Sequence, residues 1–262
     1  MSANARRSRL PRRPDGTSWD HVAAWYDGWV GAQGSRYHQR IAIPTTLDLL
    51  DLRPGEEVLD VGAGQGVLAS HVHARGARYI GVDASPRLIA LARRRHGREG
   101  RFIVADARRL EAVPALRGAR FDAAVFLLSL QDMDPLPAVL ASVARFLRPT
   151  ARVVVLLTHP CFRQPRHSGW GFDESRKLTY RRIDAYLTPM AVPMKAIGGG
   201  GPTRSFQRPL SAYVNGLAAH GFAIDALVEP ADLPEDERPG RHRPPAGAHA
   251  EIPLFLALRA RR

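Results

Sequence analysis

From Glu56 to Thr158 the chain alternates short apolar runs with amphipathic stretches, each closed by glycine, proline or aspartate. The pattern predicts a strand in EEVLDVG, a helix in GVLASHVHARG, a strand in RYIGVD, a helix in SPRLIALARRRH and a strand in RFIVAD. FDAAVFLLSL reads as the fourth strand, PLPAVLASVARFL as a helix stopped at Arg148-Pro149, and ARVVVLLT as the fifth strand. Strands that alternate with helices need right-handed crossovers, which implies a doubly wound parallel sheet with helices on both faces. Upstream, residues 16–50 read as a helical cap in which Pro44 can start a helix and Pro54-Gly55 follows its end.

The alternation breaks at His159. Residues 159–205 form an excursion at the carboxyl end of a strand, the side on which such sheets bind ligands, and they carry Trp170, Phe172, Tyr180, Tyr186, Met190 and Met194. They are expected to shape a substrate pocket, with Gly198–Gly201 either a mobile joint or a plain surface loop. A helix in PLSAYVNGLAAHG and a strand in FAIDALVE follow. Residues 230–250 read as a proline-rich surface loop, and the last strand, IPLFLALRA, should run antiparallel because no helix precedes it. The fold class expected is therefore a seven-stranded α/β sheet, mostly parallel with an antiparallel last strand, an N-terminal helical cap and an insertion after the fifth strand.

Composition narrows the picture. A chain of 262 residues that is 45% hydrophobic and 24% charged can bury a large core. Its apolar runs are shorter than the ~20 residues of a membrane-spanning helix, and the N-terminus has no apolar signal core. A cytoplasmic protein is expected, and the single cysteine, Cys161, agrees with a reducing compartment. The formal charge of +13 invites a nucleic-acid partner. Lysine occurs only at Lys177 and Lys195, however, so the excess is a bias to arginine, and Arg6, Arg7, Arg9, Arg12 and Arg13 crowd a basic tail, residues 1–15, expected to be disordered. His71 and His73 alternate on one helix and cannot share a metal, so no metal site is expected.

The chemistry concentrates in VLDVGAGQG. Gly62, Gly64 and Gly66 lie between the first strand and first helix, where a ligand must approach the backbone closely. Asp83 closes the second strand, where a carboxylate can accept from both ribose hydroxyls, and Asp106 closes the third, where it can accept from an adenine amino group. Either aspartate alone could be a helix cap. A dinucleotide fingerprint wants a sixth-position glycine, and that position is Val67. The acid followed by three alternate glycines, Asp60, Gly62, Gly64 and Gly66, resembles instead the first motif of the class I S-adenosylmethionine-dependent methyltransferases.

That resemblance extends through Asp83, through Asp106-Ala107 and to the terminal hairpin, and it implies S-adenosyl-L-methionine as cofactor. It implies cofactor contacts from Asp60, Gly62, Ala63, Gly64, Asp83, Ala84, Asp106, Ala107 and Leu127 in a core of residues 51–158. WDHVAAWYDGWVGAQGSRYHQR is similar to the cap of the small-molecule, natural-product branch, which implies that Tyr26 and His38 close over the cofactor. THPCFRQP and SFQRPLSAY, within the insertion and the C-terminal unit of residues 206–262, are also similar to that branch, with Gln207 standing where it usually has histidine. The function implied is methyl transfer to a small-molecule acceptor, a secondary metabolite. His159, which ends a strand on the ligand face, is the candidate general base, the alternative being a histidine hydrogen-bonded to its own loop. The alternatives are an RNA methyltransferase on the same core, although the base-flipping motif of DNA amino-methyltransferases is absent after the fourth strand, and a cofactor-binding protein that has lost methyl transfer. Oligomeric state is not legible.

Overall fold

The computed structural model describes residues 19–194, 202–234 and 251–262. The expected basic tail, the Gly198–Gly201 joint and most of the 230–250 loop lie outside these residues. Strands β1 (Glu57–Val61), β2 (Arg78–Asp83), β3 (Arg101–Val104), β4 (Phe121–Leu127) and β5 (Leu147–Thr158) run parallel. Within the excursion come β6 (Ser168–Asp173), β7 (Leu178–Ile183), β8 (Met190–Pro193) and β9 (Arg204–Gln207), which ends just past it, and after it β10 (Ala223–Val228) and β11 (Phe255–Arg261). The main sheet has seven strands in the order β3-β2-β1-β4-β5-β11-β10, and β11 is antiparallel to both neighbours. This is the architecture expected, and β1 and β4 flank the point where strand order reverses.

Alternation along the strands sorts the core into two layers. Leu59, Phe126, Val153, Val155 and Leu157 face one way, against α5 (Leu136–Ala144) and α6 (Leu210–Ala218). Val58, Val125, Val154 and Leu156 face the other, against α2 (Ile43–Leu50), α3 (Ala69–His73) and α4 (Pro86–His96). Pro86 sits at the start of α4, and the Ser85 side chain accepts from Leu88 N at 3.1 Å, a conventional N-cap. The first helix after the glycine loop is shorter than expected, because the chain keeps turning through Val67 and Leu68 before α3 begins.

The cap holds α1 (Ala23–Val30) and α2, and it is pinned to the core at several points. Ser85 Oγ donates to Asp20 at 2.6 Å, Arg95 pairs with Asp27, Gln65 donates to Gly31 O, and Tyr37 meets Phe255 edge to face. The described residues of the excursion are built on strands. They form one hairpin from β6 and β7 and a second from β8 and β9. The guanidinium groups of Arg163 and Arg181 lie over the Trp170 ring at 5.5 and 5.3 Å, whereas Phe172 and Tyr180 are 47% and 45% exposed. The second hairpin reaches the carboxyl ends of β4 and β5 through Ser205 and Gln207.

Candidate functional site

Each of the three glycines has a different local environment. A Cβ on Gly62 (φ +78°) would lie 2.5 Å from Ser129 Cβ and 2.7 Å from Met133 Cε. One on Gly66 (φ +86°) would lie 2.7 Å from the Phe102 ring. Both glycines therefore serve close packing, Gly62 where Ser129 Oγ also donates to Val61 O at 2.6 Å. Gly64 (φ +55°) differs, for the atom nearest its added Cβ is Tyr26 Cε1 at 3.7 Å. Of the triad, Gly64 alone opens towards the cap, and Ala63 beside it is tied to β2 by its N–H to Val82 O at 3.0 Å.

Carboxylates converge on the same place. Asp83, ending β2, accepts from Gly64 N at 2.9 Å through Oδ2 and from Ser85 N at 2.8 Å through Oδ1. Burial raises its pKa against the pull of those two N–H groups, and the charge of Asp20 adds to the rise. Asp60 is 2% exposed; Tyr79 donates to its Oδ2 at 2.6 Å, while its Oδ1 has no partner. Burial pushes this carboxyl up to about 7. Tyr26 lies over the group, and burial together with the charges of Asp83, Asp132 and Asp60 raises its hydroxyl pKa. Asp132, in the turn after β4, was not singled out from sequence. Its only signal there is a position just past a strand end at the switch point.

Other expected residues behave differently. Asp106 caps the turn after β3 by accepting from Arg108 N at 2.9 Å and pairs with the Arg108 guanidinium at 2.6 Å. Burial works against ionisation there, but the Arg108 and Arg109 charges hold the carboxyl below its usual range. Ala84 and Ala107 follow the ends of β2 and β3, and Leu127 ends β4 with 8% exposure. His38 is turned into the cap: it is 4% exposed, meets Ser35 Oγ through Nδ1 at 2.8 Å, and is pushed down to about 4 by burial.

His159 departs most from expectation. Its Nδ1 accepts from Cys161 N at 3.2 Å and its Nε2 meets Glu229 Oε1 at 2.7 Å. With Nδ1 accepting, Nε2 carries the proton and donates to the carboxylate. Both nitrogens are used and the ring is 2% exposed, so no nitrogen is left to receive an acceptor proton. Burial lowers its pKa against the opposing Glu229 charge. His159→Ala is therefore expected to lower the melting temperature by several degrees, through lost loop contacts, while kcat stays within about threefold of wild type. Thermal unfolding and steady-state kinetics on the same preparation check this.

Among the described residues no group of three His, Cys, Asp or Glu side chains gathers as a metal site, and no helix is long and apolar enough to cross a membrane.

Comparison with known proteins agrees with this geometry. A family profile described as "Methyltransferase domain" matches residues 58–150, from β1 to the start of β5. The chain is 32% identical over 187 residues to a demethylmenaquinone methyltransferase of Beutenbergia cavernae, covering 71% of this chain and 72% of that protein. It is 31% identical over 138 residues to the nocamycin O-methyltransferase of Saccharothrix syringae, covering 52% and 48%. A crystal structure of an S-adenosylmethionine-dependent methyltransferase from Mesorhizobium loti superposes with a TM-score of 0.69 at 22% identity, covering 88% of this chain and all of that one. The chain belongs to the S-adenosylmethionine-dependent methyltransferases.

Proposed function

We propose that the protein moves a methyl group from S-adenosylmethionine to a small organic acceptor, with the donor held between the glycine loop, Asp83 and Tyr26. The observation that carries this reading is the convergence of Asp60 and Asp83 on Tyr26 above Gly64, beside the reversal of strand order. The residues suit the cofactor. Asp60 Oδ1 is a buried acceptor without a donor, and Asp60 and Asp83 are raised by burial with no cation among the causes of their shifts. A cationic ligand that also brings hydroxyl donors would satisfy both deficits.

The bound cofactor supplies a methyl already activated on a sulfonium. What remains for the chain is to orient, to exclude water and to receive a proton. Asp83 has lone pairs left for ribose hydroxyls beyond its two backbone bonds. Asp60 adds negative charge behind the loop, and Tyr26 covers Gly64 against solvent. Ala84, Ala107 and Leu127 would offer apolar walls at three strand ends, with Asp106 reaching an adenine amino group alongside Arg108. Gly62 and Ala63 act by shaping the loop.

The relatives named as acting on menaquinone and nocamycin precursors make a small molecule, a secondary metabolite among the candidates, the acceptor class that fits best. Arg95, Arg152, Arg208 and Arg259 are paired with carboxylates of the same chain and so offer no free charge to RNA. Incubation with methyl-labelled S-adenosylmethionine, a pool of hydroxylated and aminated small aromatics, and total RNA tests the reading. Label is expected in the small-molecule fraction; label confined to RNA contradicts it.

A further inference from the structure

Beside the donor site, at the carboxyl ends of β4 and β5, lies a set of polar groups that donor binding does not use. Asp132 accepts from the Ser205 hydroxyl of β9 and lies in the field of Arg208. It also faces Tyr26 of α1 and Tyr213 of α6. Next to it is a cavity of about 20 Å³ lined by Gln131, Thr158, Gln164, Ser205, Gln207 and Arg208, among others. Three of these side chains each carry a buried polar atom with no partner: Gln131 Oε1, Gln207 Oε1 and Arg208 Nη1.

The orientation of each is fixed by its other polar atom. Gln131 Nε2 donates to Leu128 O at 2.8 Å, and Gln207 Nε2 to Gln164 Oε1 at 2.9 Å and Ala185 O at 2.7 Å. Arg208 Nη2 donates to Met133 O at 2.6 Å and to Asp134 at 2.8 Å. Buried polar atoms are nearly always paired, and three exceptions around one cavity mark a place that something polar completes. The volume suits a single water-sized group. An oxygen function at the edge of a larger molecule has that size, and a hydroxyl can accept from Arg208 while donating to a glutamine.

We propose that the acceptor is a hydroxyl compound bearing a second, neighbouring oxygen function, that Gln131, Gln207 and Arg208 hold this second oxygen, and that Asp132 is the catalytic base. The inference rests on the donor site proposed above. The acceptor oxygen forms a bond to the methyl carbon as the carbon–sulfur bond breaks, and that bond's electron pair stays on sulfur. The acceptor's proton passes to the Asp132 carboxylate and from there to solvent, leaving a methyl ether and a thioether. Burial pushes the Asp132 carboxyl up to about 7 although Ser205 and Arg208 pull it down, which suits a group that takes a proton near neutral pH.

The test uses the full chain with catechol, 4-nitrocatechol, 2-hydroxy-1,4-naphthoquinone and 1,2-phenylenediamine. Methyl transfer is measured by mass spectrometry. Binding of 4-nitrocatechol to protein loaded with S-adenosylhomocysteine is followed by its own absorbance. Wild type is expected to methylate at least one oxygen probe and not the diamine, with kcat/KM rising through about pH 7. Asp132→Asn should lower kcat at least about 100-fold and abolish that rise, with S-adenosylhomocysteine affinity within about twofold by calorimetry. Gln131→Leu should weaken 4-nitrocatechol binding about tenfold and lower kcat/KM in step. If Asp132→Asn does not fold, Ser205→Ala serves: removing the hydroxyl donor should move the rising limb to higher pH. Wild-type kcat and pH profile in Asp132→Asn, or an unmoved limb in Ser205→Ala, overturns the base. Transfer to the diamine alone, or to no probe by a protein that binds S-adenosylhomocysteine, overturns the acceptor class. Unchanged 4-nitrocatechol binding in Gln131→Leu means that the cavity holds water only. A wild type that binds no S-adenosylhomocysteine overturns the donor reading itself.

Discussion

Asp60→Asn is expected to make the protein more stable at pH 8 and a poorer binder of S-adenosylmethionine. The carboxyl is 2% exposed and is pushed from 3.8 up to about 7 by burial, with Asp83 adding to the rise and Tyr79 opposing it. The folded state thus keeps a proton that the unfolded chain releases, so this group's contribution is full below about pH 4 and is lost as pH rises through about 7. Asparagine has the same shape, can still accept from Tyr79, and cannot ionise. The gain at pH 8 should be about 2–4 kcal/mol and should shrink towards pH 5. Removing a buried negative charge from beside a cationic ligand should meanwhile weaken binding by about 10- to 100-fold. Calorimetric melting at the two pH values and titration at pH 8 read both effects. Unchanged melting with unchanged affinity would remove Asp60 from the site.

The second large effect separates packing from binding within the glycine triad. Gly62→Ala should destabilise the fold by about 2–4 kcal/mol, because its Cβ would enter Ser129 and Met133 from a left-handed backbone. Gly64→Ala meets only Tyr26 at 3.7 Å and keeps a φ of +55°, so its cost in stability should be about 1–2 kcal/mol. Its loss should appear in cofactor affinity instead. Denaturant unfolding of both variants, followed by calorimetry on whichever remains folded, distinguishes the two. Equal destabilisation by the two substitutions would mean that Gly64 is also a packing residue.

These contrasts mark where sequence reading succeeds and where it stops. The alternation from Val58 to Thr158 prescribes which side chains face each layer, and the missing helix before IPLFLALRA made the antiparallel direction of β11 legible. Asp83 was legible for a local reason, since it ends an apolar strand and the glycine loop folds back on it. Which glycine opens towards the cap was not, because Ser129, Met133 and Phe102 lie far away in sequence. His159 shows the same limit: its strand-end position was correct, but Glu229, which engages its ring, lies 70 residues on. The aromatic residues of 159–194 suggested a pocket by type, yet Phe172 and Tyr180 are about half exposed, and Ser205, Gln207 and Arg208 of the second hairpin and its continuation line the cavity at the ends of β4 and β5. His38 was placed at the cofactor by resemblance of the cap alone, and the fold buries it against Ser35 of its own turn.

The proposed chemistry requires above all that the donor lie against Asp83 beneath Tyr26. Calorimetric titration of wild type and Asp83→Ala with S-adenosylhomocysteine tests this directly. The variant loses the carboxylate that would accept ribose hydroxyls, and its affinity should fall by about 1–3 kcal/mol, roughly 5- to 150-fold. Equal affinities in the two proteins, with both folded, would contradict the account.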